Sequence, residues 1–282
     1  MVKKITACVI GFIVCVAISA AVMILSFVRP LKDPLFWIDC ADKIDYYSRV
    51  KDYSEKYFRD KYSPPSGIPE ECFTDSVTVD NVKTLYEKQV RALVEGKVYS
   101  IGKSDTEEIE KKIVERATEY SSIINKRMED PDLELQREGI QYTADLCIND
   151  YKKYNQLSLF SYAENVVLGY EKTLTYAALF CIIIAAAGLA VVIFTLKRRS
   201  IRFISYSLLG AGLIGFLPTV FLKVIGFYDR FGFSPDYWND LFFALENGVM
   251  KRMIVCSVCF IVISLGLFAY DIIRTARTRS EN

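Results

Sequence analysis

Four apolar stretches interrupt a chain that is otherwise densely polar. Ile5–Val28, Thr173–Leu196, Phe203–Leu222 and Met253–Tyr270 contain no Asp, Glu, Lys or Arg. A helix needs about 20 apolar residues to cross the hydrocarbon core of a bilayer. Only helices and closed barrels satisfy all their backbone groups in lipid, and continuous apolar runs of this length are helices. The pattern therefore predicts four transmembrane helices. The first run follows Lys3-Lys4 and carries Ser19, Ala20 and Ala21, as a signal peptide would. Its continuation to Val28 is too long for such a peptide and predicts an uncleaved anchor.

Between the first two spans the apolar period shortens to that of an amphipathic helix. Trp37, Ala41, Ile44, Tyr47, Val50, Tyr57 and Phe58 recur near every 3.6 residues, predicting a helix within Arg29–Tyr62 broken near the membrane by Pro30 and Pro34. Pro64, Pro65, Gly67 and Pro69 predict a loop. A helix starting near Asp80 buries Val82, Leu85, Tyr86, Val90, Leu93 and Val94 and stops at Gly96. Ser104-Asp-Thr-Glu107 has the form of a capping box, and Ile109, Ile113, Ala117, Tyr120 and Ile124 follow in register. Asp130-Pro131 separates this helix from one built on Ile140, Ala144, Cys147, Tyr151 and Tyr154. The steps of four and three make a seam for neighbouring helices. Ser161-x-x-Glu164 reads as a second capping box leading into the second span. The expected architecture is an all-α membrane protein of four transmembrane helices, with an extracytoplasmic bundle of about four helices inserted between spans 1 and 2.

Charge placement orients this chain. Lys3 and Lys4, the link Lys197-Arg198-Arg199 with Arg202, and the tail residues Arg274, Arg277 and Arg279 form short, nearly acid-free segments on one side. Such segments favour the cytoplasm, placing both termini inside a plasma membrane. Residues 1–28 then comprise the cytoplasmic start and span 1, 29–172 the outer domain, and 173–282 spans 2–4 with a short outer loop at 223–252 and a cytoplasmic tail. The outer segment holds 28 Asp and Glu against 22 Lys and Arg, although the whole chain is at +1. Mixed charge of this kind is a solvated surface, and no nucleic-acid partner is expected. The segment is long enough to bury a core of its own.

Several patterns invite a chemical reading. Gly210-Ala-Gly212-Leu-Ile-Gly215 matches a dinucleotide-binding signature, but it lies inside the third span with no strand before it. Helix packing is the better reading. Ser207, Ala211 and Gly215 are spaced by four to form a small-residue face, and Gly11, Cys15 and Ser19 form a similar one on span 1. Pro218 is expected to bend span 3. No charge falls at a span centre, which argues against an ion or proton path; Lys223 and Asp271 sit at span ends. The chain contains no His, which removes Ser-His-Asp, Cys-His and His-metal sites, and no metal is expected. Glu70-Glu71 and Glu107-Glu108 read as exposed charges. The aromatic set Tyr46, Tyr47, Tyr53, Tyr57, Phe58 and Tyr62 reads first as core and rim, and second as a face for a glycan or protein partner. Phe231, Phe233, Tyr237, Trp238, Phe242 and Phe243 are expected at the lipid interface.

Cysteine is the most pointed chemistry. Cys8, Cys15 and Cys181 lie in spans as small packing residues. Cys40, Cys72 and Cys147 lie outside, where an oxidising compartment preserves disulfides; three allow one bond and one thiol, with Cys40–Cys147 slightly favoured. Cys256-Ser-Val-Cys259 is a C-x-x-C near the outer end of span 4, on one helix face beside Lys251 and Arg252, where a nearby helix N-terminus would activate a thiol. Four spans, cysteines in the first outer segment and this C-x-x-C together resemble the vitamin K epoxide reductases and related oxidoreductases. That resemblance implies that Cys256 and Cys259 face a quinone and pass electrons to a loop cysteine.

The order of span, large outer domain, basic hairpin, short loop and last span is also similar to that of FtsX-type and MacB-type permeases. This implies a subunit of a transport or cell-envelope complex driven by a cytoplasmic ATPase. The basic run Lys197–Arg202 entering a Gly-rich span also resembles uncharacterised four-span proteins of Gram-positive bacteria, which implies no activity. From the residues themselves, the expected function is that of a non-enzymatic membrane protein, without cofactor, whose outer helical domain binds a protein partner.

Overall fold

A computed structural model describes residues 2–125, 133–157, 170–227, 230 and 232–280. All regular elements among them are helical. In chain order these are α1 (Val2–Leu31), α2 (Pro34–Lys43), α3 (Tyr46–Ser66), α4 (Val79–Val94), α5 (Glu107–Asn125), α6 (Leu133–Asn155), α7 (Glu171–Leu196), α8 (Ser200–Val224) and α9 (Asp236–Ser280). Four of them, α1, α7, α8 and α9, are long and apolar enough to cross a membrane. The helices α2–α6 lie between the first and second spans as an extracytoplasmic bundle. Asp130-Pro131, Ser161-x-x-Glu164 and Phe231 lie outside the described residues.

The chain divides into two compact units. The membrane unit comprises Met1–Asp33, Val167–Gly232 and Phe242–Asn282; the outer unit comprises Pro34–Val166 and Phe233–Leu241.

Within the membrane unit α1 packs on both α7 and α8. Val14, Ala17 and Ala185 form the buried centre of the α1–α7 contact, ringed by Ile10, Ile18, Cys181, Ile184 and Leu189. Gly188 of α7 admits Val14 so closely that any Cβ there would collide with its methyl. Side-chain hydroxyls secure the other contacts. Ser207 donates to the Gly11 carbonyl at 3.0 Å, and Ser19 to the Ala211 carbonyl at 3.3 Å. Ser205 and Ser264 donate to each other's carbonyls at 2.6 and 2.7 Å. Lys32 and Glu171 pair across the outer ends of α1 and α7. Asp271, expected to reach the interface, is instead buried and paired with Arg202.

The outer unit follows the predicted apolar faces but not all the predicted boundaries. The single helix expected over Arg29–Tyr62 is divided among three elements. α1 runs to Leu31 with Pro30 in its last turn, and Pro34 opens α2 where its missing N–H costs nothing. Asp45 then adopts a left-handed φ of 53° between α2 and α3. Pro64 and Pro65 were expected in a loop, yet α3 continues through Ser66 and is stopped by Gly67 at φ 67°, whose N–H returns to the Ser63 carbonyl at 3.1 Å. Thr78 caps α4 by accepting the Asn81 N–H at 3.2 Å. The capping box at Ser104 is displaced: α5 begins at Glu107. Asp105, and not Ser104, takes the local backbone donor, from Gly102 at 2.9 Å.

The loop expected over 223–252 is short, because α8 ends at Val224 and α9 is helical from Asp236. The segment after Pro235 is rich in helix formers and has no second proline, so the helix runs on into the span. Tyr237 and Trp238, expected at the lipid interface, are each 3% exposed inside the outer unit. There they close ring contacts with Tyr46 and, for Tyr237, with Tyr53. Both also donate to the carbonyl of Tyr154, at 2.9 and 3.2 Å, in the last turn of α6. Large aromatic faces gain more from burial in such a cluster than from a half-wet interface, provided O–H and N–H find acceptors.

Candidate functional site

Two polar clusters and two clefts stand out among the described residues of the outer unit. The denser cluster joins α3 to α6. One carboxylate oxygen of Asp150 accepts from Lys61 Nζ at 2.5 Å, Tyr62 OH at 2.5 Å and Tyr57 OH at 3.0 Å. The Lys61 ammonium also lies over the rings of Tyr57 and Tyr62, at 5.1 and 5.2 Å from their centres. Burial opposes the charge on Asp150, but the bonds from Lys61, Tyr62 and Tyr57 outweigh it and hold its carboxyl below the usual carboxylate range. Lys61 is pushed up, first by its bond to Asp150. Burial, reinforced by the neighbouring carboxylate, raises both phenols, Tyr57 to about 12. Each group is thus fixed in its ordinary protonation state. With Lys61, Tyr57 and Tyr62 on α3 and Asp150 on α6, these bonds clasp the two helices together.

The second cluster is similar. Asp105 accepts from Lys88 and Tyr99 at 2.8 Å each and from the Gly102 N–H. Burial disfavours its charge, but these donors lower its pKa. Buried Gln89 completes the frame, donating to the Asn155 carbonyl at 3.1 Å and accepting the Leu157 N–H at 2.8 Å.

The larger cleft lies where the last turn of α3 and the Pro65–Pro69 segment face α5 and α6. It encloses about 490 Å³, within the range of small-molecule sites. Its floor is Ala117, Ile140, Thr143 and Leu146, and its lips are Pro65, Ser66, Tyr120, Gln136 and Tyr142. Tyr120 is 40% exposed and Tyr142 66% exposed. Ser121 donates to Gln136 across the cleft at 2.7 Å. Gly139 of α6 also lines it, and a Cβ added there would meet nothing within 4 Å. None of the described lining residues is Asp, Glu, Lys or Arg. The smaller cleft, about 410 Å³, is acidic, with Asp52, Asp236 and Asp240 beside Arg49; Arg49 is paired to Asp240.

The residues singled out from sequence are distributed differently. Tyr46, Tyr47, Phe58 and Tyr62 are buried in the outer unit, as the core reading expects, while Tyr53 and Tyr57 are half-buried at its rim. Tyr120, placed in the core register, stands at the groove lip. Cys40, Cys72 and Cys147 are buried, and no disulfide joins any two of them. Burial, then the Asp150 charge, pushes the Cys147 thiol up to about 12; burial also raises Cys72. Cys256 and Cys259 are exposed free thiols on the surface of α9. The helix N-terminus invoked for them is absent there, because α9 starts at Asp236 and both cysteines sit deep in a continuous helix.

The two small-residue faces are brought together, with one exception. Ser207 and Ala211 meet Gly11 and Ser19, and a Cβ on Gly210 would lie 2.7 Å from the Cys15 sulfur. Gly215 points elsewhere, against Ser257 of α9, alongside Gly212, whose Cβ would lie 2.8 Å from the Ser257 carbonyl. The glycines of the Gly210–Gly215 run therefore serve two interfaces of α8. Among the described residues no group of three His, Cys, Asp or Glu side chains is arranged to hold a metal ion.

No family model matches this chain, and neither a curated protein nor a solved structure matches it.

Proposed function

We propose that this chain is a non-enzymatic plasma-membrane protein whose extracytoplasmic helical domain binds a partner through the groove between α3, α5 and α6. The carrying observation is the groove itself. It is a volume of about 490 Å³ beside a helix glycine and flanked by two exposed tyrosines, on a domain whose Asp150 cluster is committed to joining α3 to α6. Exposed aromatics with a polar tip are the residues enriched where proteins engage partners. The basic segments Lys197–Arg202 and Arg274–Arg279 support a cytoplasmic placement of both termini, with the groove on the outer side.

The test is site-specific photo-cross-linking in native membranes, with a photoreactive side chain in place of Tyr142 or, as the control, Lys111, which is 69% exposed on α5 outside the groove. The reading expects a saturable adduct at position 142 well above that at 111. Equal labelling at the two positions would overturn it.

A further inference from the structure

We infer that the end of the membrane unit formed by Lys197–Arg202 and the last turns of α9 binds anionic phospholipid headgroups in the leaflet it faces. A single turn, Lys197–Arg199, joins α7 to α8, with Lys197 at a left-handed φ of 46°. The Ser200 hydroxyl donates to the Lys197 carbonyl at 2.6 Å and closes that turn. Both flanking helices are long and apolar enough to be spans. A link this short between two spans cannot leave the headgroup layer, which is about 5–7 Å deep on each side of the hydrocarbon core.

The tertiary structure brings a second basic segment to this one. Arg202 donates to Asp271, and Ser205 and Ser264 donate to each other's carbonyls, which sets α8 antiparallel to α9. Arg274 follows Asp271 by three residues, on the same side of the helix and about 4.5 Å further along, at the level of the basic turn. Arg277 comes next. Positions 196–206 and 270–282 together hold seven Lys and Arg against two acids, Asp271 and Glu281. The positive excess therefore holds wherever Arg198, Arg279 and Glu281 point. Asp271 is buried beneath Arg202, whose side chain stays 50% exposed with two of its five N–H donors used. Lys197 and Arg199 are exposed, and neither pairs with an acid among the described residues.

Apolar surface beside these cations selects a lipid over a soluble anion. Phe194, just before the turn, is 81% exposed, and Ile273, next to Arg274, is 68% exposed. An anionic phospholipid supplies a phosphate for the Lys and Arg donors and acyl chains for the apolar side chains. A soluble anion offers nothing to Phe194 or Ile273 and would have to displace lipid from a turn held in the headgroup layer. A zwitterionic lipid covers the apolar side chains, but its own cation already neutralises its phosphate, so it gains less from the cluster.

The experiment uses the full chain in nanodiscs of equimolar phosphatidylcholine and phosphatidylglycerol with matched acyl chains. Each lipid in turn is doped with a form that is photoactivatable near its headgroup, and adducts are mapped by peptide. The expected result is at least threefold more adduct from phosphatidylglycerol, concentrated in residues 193–202 and 270–277. Lys197→Gln/Arg199→Gln should at least halve that excess. Lys251→Gln/Arg252→Gln, which removes two charges at the opposite end of the α9 span, should leave it unchanged, and excess glycerol phosphate should not compete. Equal labelling by the two lipids, adducts spread evenly over both ends of the spans, or an excess unchanged in the link variant would overturn the inference. Equal loss in the two double variants would also overturn it, by showing diffuse attraction in place of a site. Competition by glycerol phosphate would assign the cluster to a soluble phosphate and overturn the lipid as its source. The comparison of the two lipids is made on the unaltered protein, so it decides the matter even where a variant fails to fold.

Discussion

Arg202 on α8 reaches Asp271 on α9 with two nitrogens, Nε at 2.9 Å and Nη2 at 2.7 Å, on the same carboxylate oxygen. The partners are unequally placed: the Asp271 side chain is 9% exposed and that of Arg202 50%. The carboxylate has therefore given up most of its hydration and depends on the guanidinium. Arg202→Ala should destabilise the membrane unit, though less than loss of a fully buried pair would, because Arg202 is half in solvent. The double variant Arg202→Ala/Asp271→Ala should be more stable than Arg202→Ala alone, since it removes the orphaned charge. Thermal unfolding of the three proteins in one lipid mixture measures this; equal losses in the single and double variants would show that the pair is not coupled.

Asp150 makes a pH-dependent prediction. Its folded pKa is held below the ordinary carboxylate value, so its contribution is complete above about pH 4 and is lost as pH falls through the folded value. Asp150→Asn should cost about 1–3 kcal/mol at pH 7, by stranding Lys61 and two phenols. The deficit should shrink toward pH 3. Denaturant titrations of the two proteins at both pH values give the comparison, and a deficit that does not change with pH would contradict the charge-based account.

Glu55 should behave with the opposite sign. It is 6% exposed, and burial raises its pKa despite the bond from Lys51 at 3.1 Å. Burial thus outweighs both Lys51 and the Val77 backbone, which favour the charged form. The protonated form suits the fold, so stability associated with Glu55 is greatest in acid and lost as pH rises through its folded pKa. Glu55→Gln should therefore gain stability relative to the parent as pH rises from 4 to 7. A relative stability that falls over that interval would rule this out.

Gly212 and Gly266 separate close approach from mere smallness. A Cβ at Gly212 would lie 2.8 Å from a backbone carbonyl, which cannot swing aside, whereas at Gly266 it would meet nothing within 4 Å. Gly212→Ala should destabilise the α8–α9 contact by about 1–3 kcal/mol. Gly266→Ala should be neutral or stabilising by up to about 1 kcal/mol. Steric-trap or thermal measurements in bilayers would distinguish them.

The cysteines can be tested by reactivity. Cys40, Cys72 and Cys147 are buried thiols, and should resist a water-soluble maleimide in the native protein and react once it is unfolded in reductant-free denaturant. Cys256→Ser/Cys259→Ser should leave both stability and the position-142 cross-link unchanged. Loss of the cross-link in a folded double variant would instead tie these thiols to function and revive quinone-linked redox chemistry as a reading.

The sequence by itself determined the four spans, because lipid leaves a long apolar segment no alternative to a helix. It also determined which faces of α4, α5 and α6 are buried at Val82, Leu85, Ile109, Ile113, Ala144 and Cys147, because 3.6-residue periodicity is a local property. Gly96 was legible as a stop for the same reason. Only the tertiary structure decided that Tyr237 and Trp238 complete the core of the outer unit, since their acceptor at Tyr154 and ring neighbours at Tyr46 and Tyr53 are remote in the chain. It also decided that Gly215 serves α9 while Ser207 and Ala211 serve α1, because spacing defines a helix face but not the neighbour it meets. The groove belongs to this second class. Tyr120 fits the core register of α5 and stands at its lip, and Gly139 is an ordinary helix glycine until the empty space beside it is seen. A cavity is made by what several distant segments leave unfilled, and no local pattern records it.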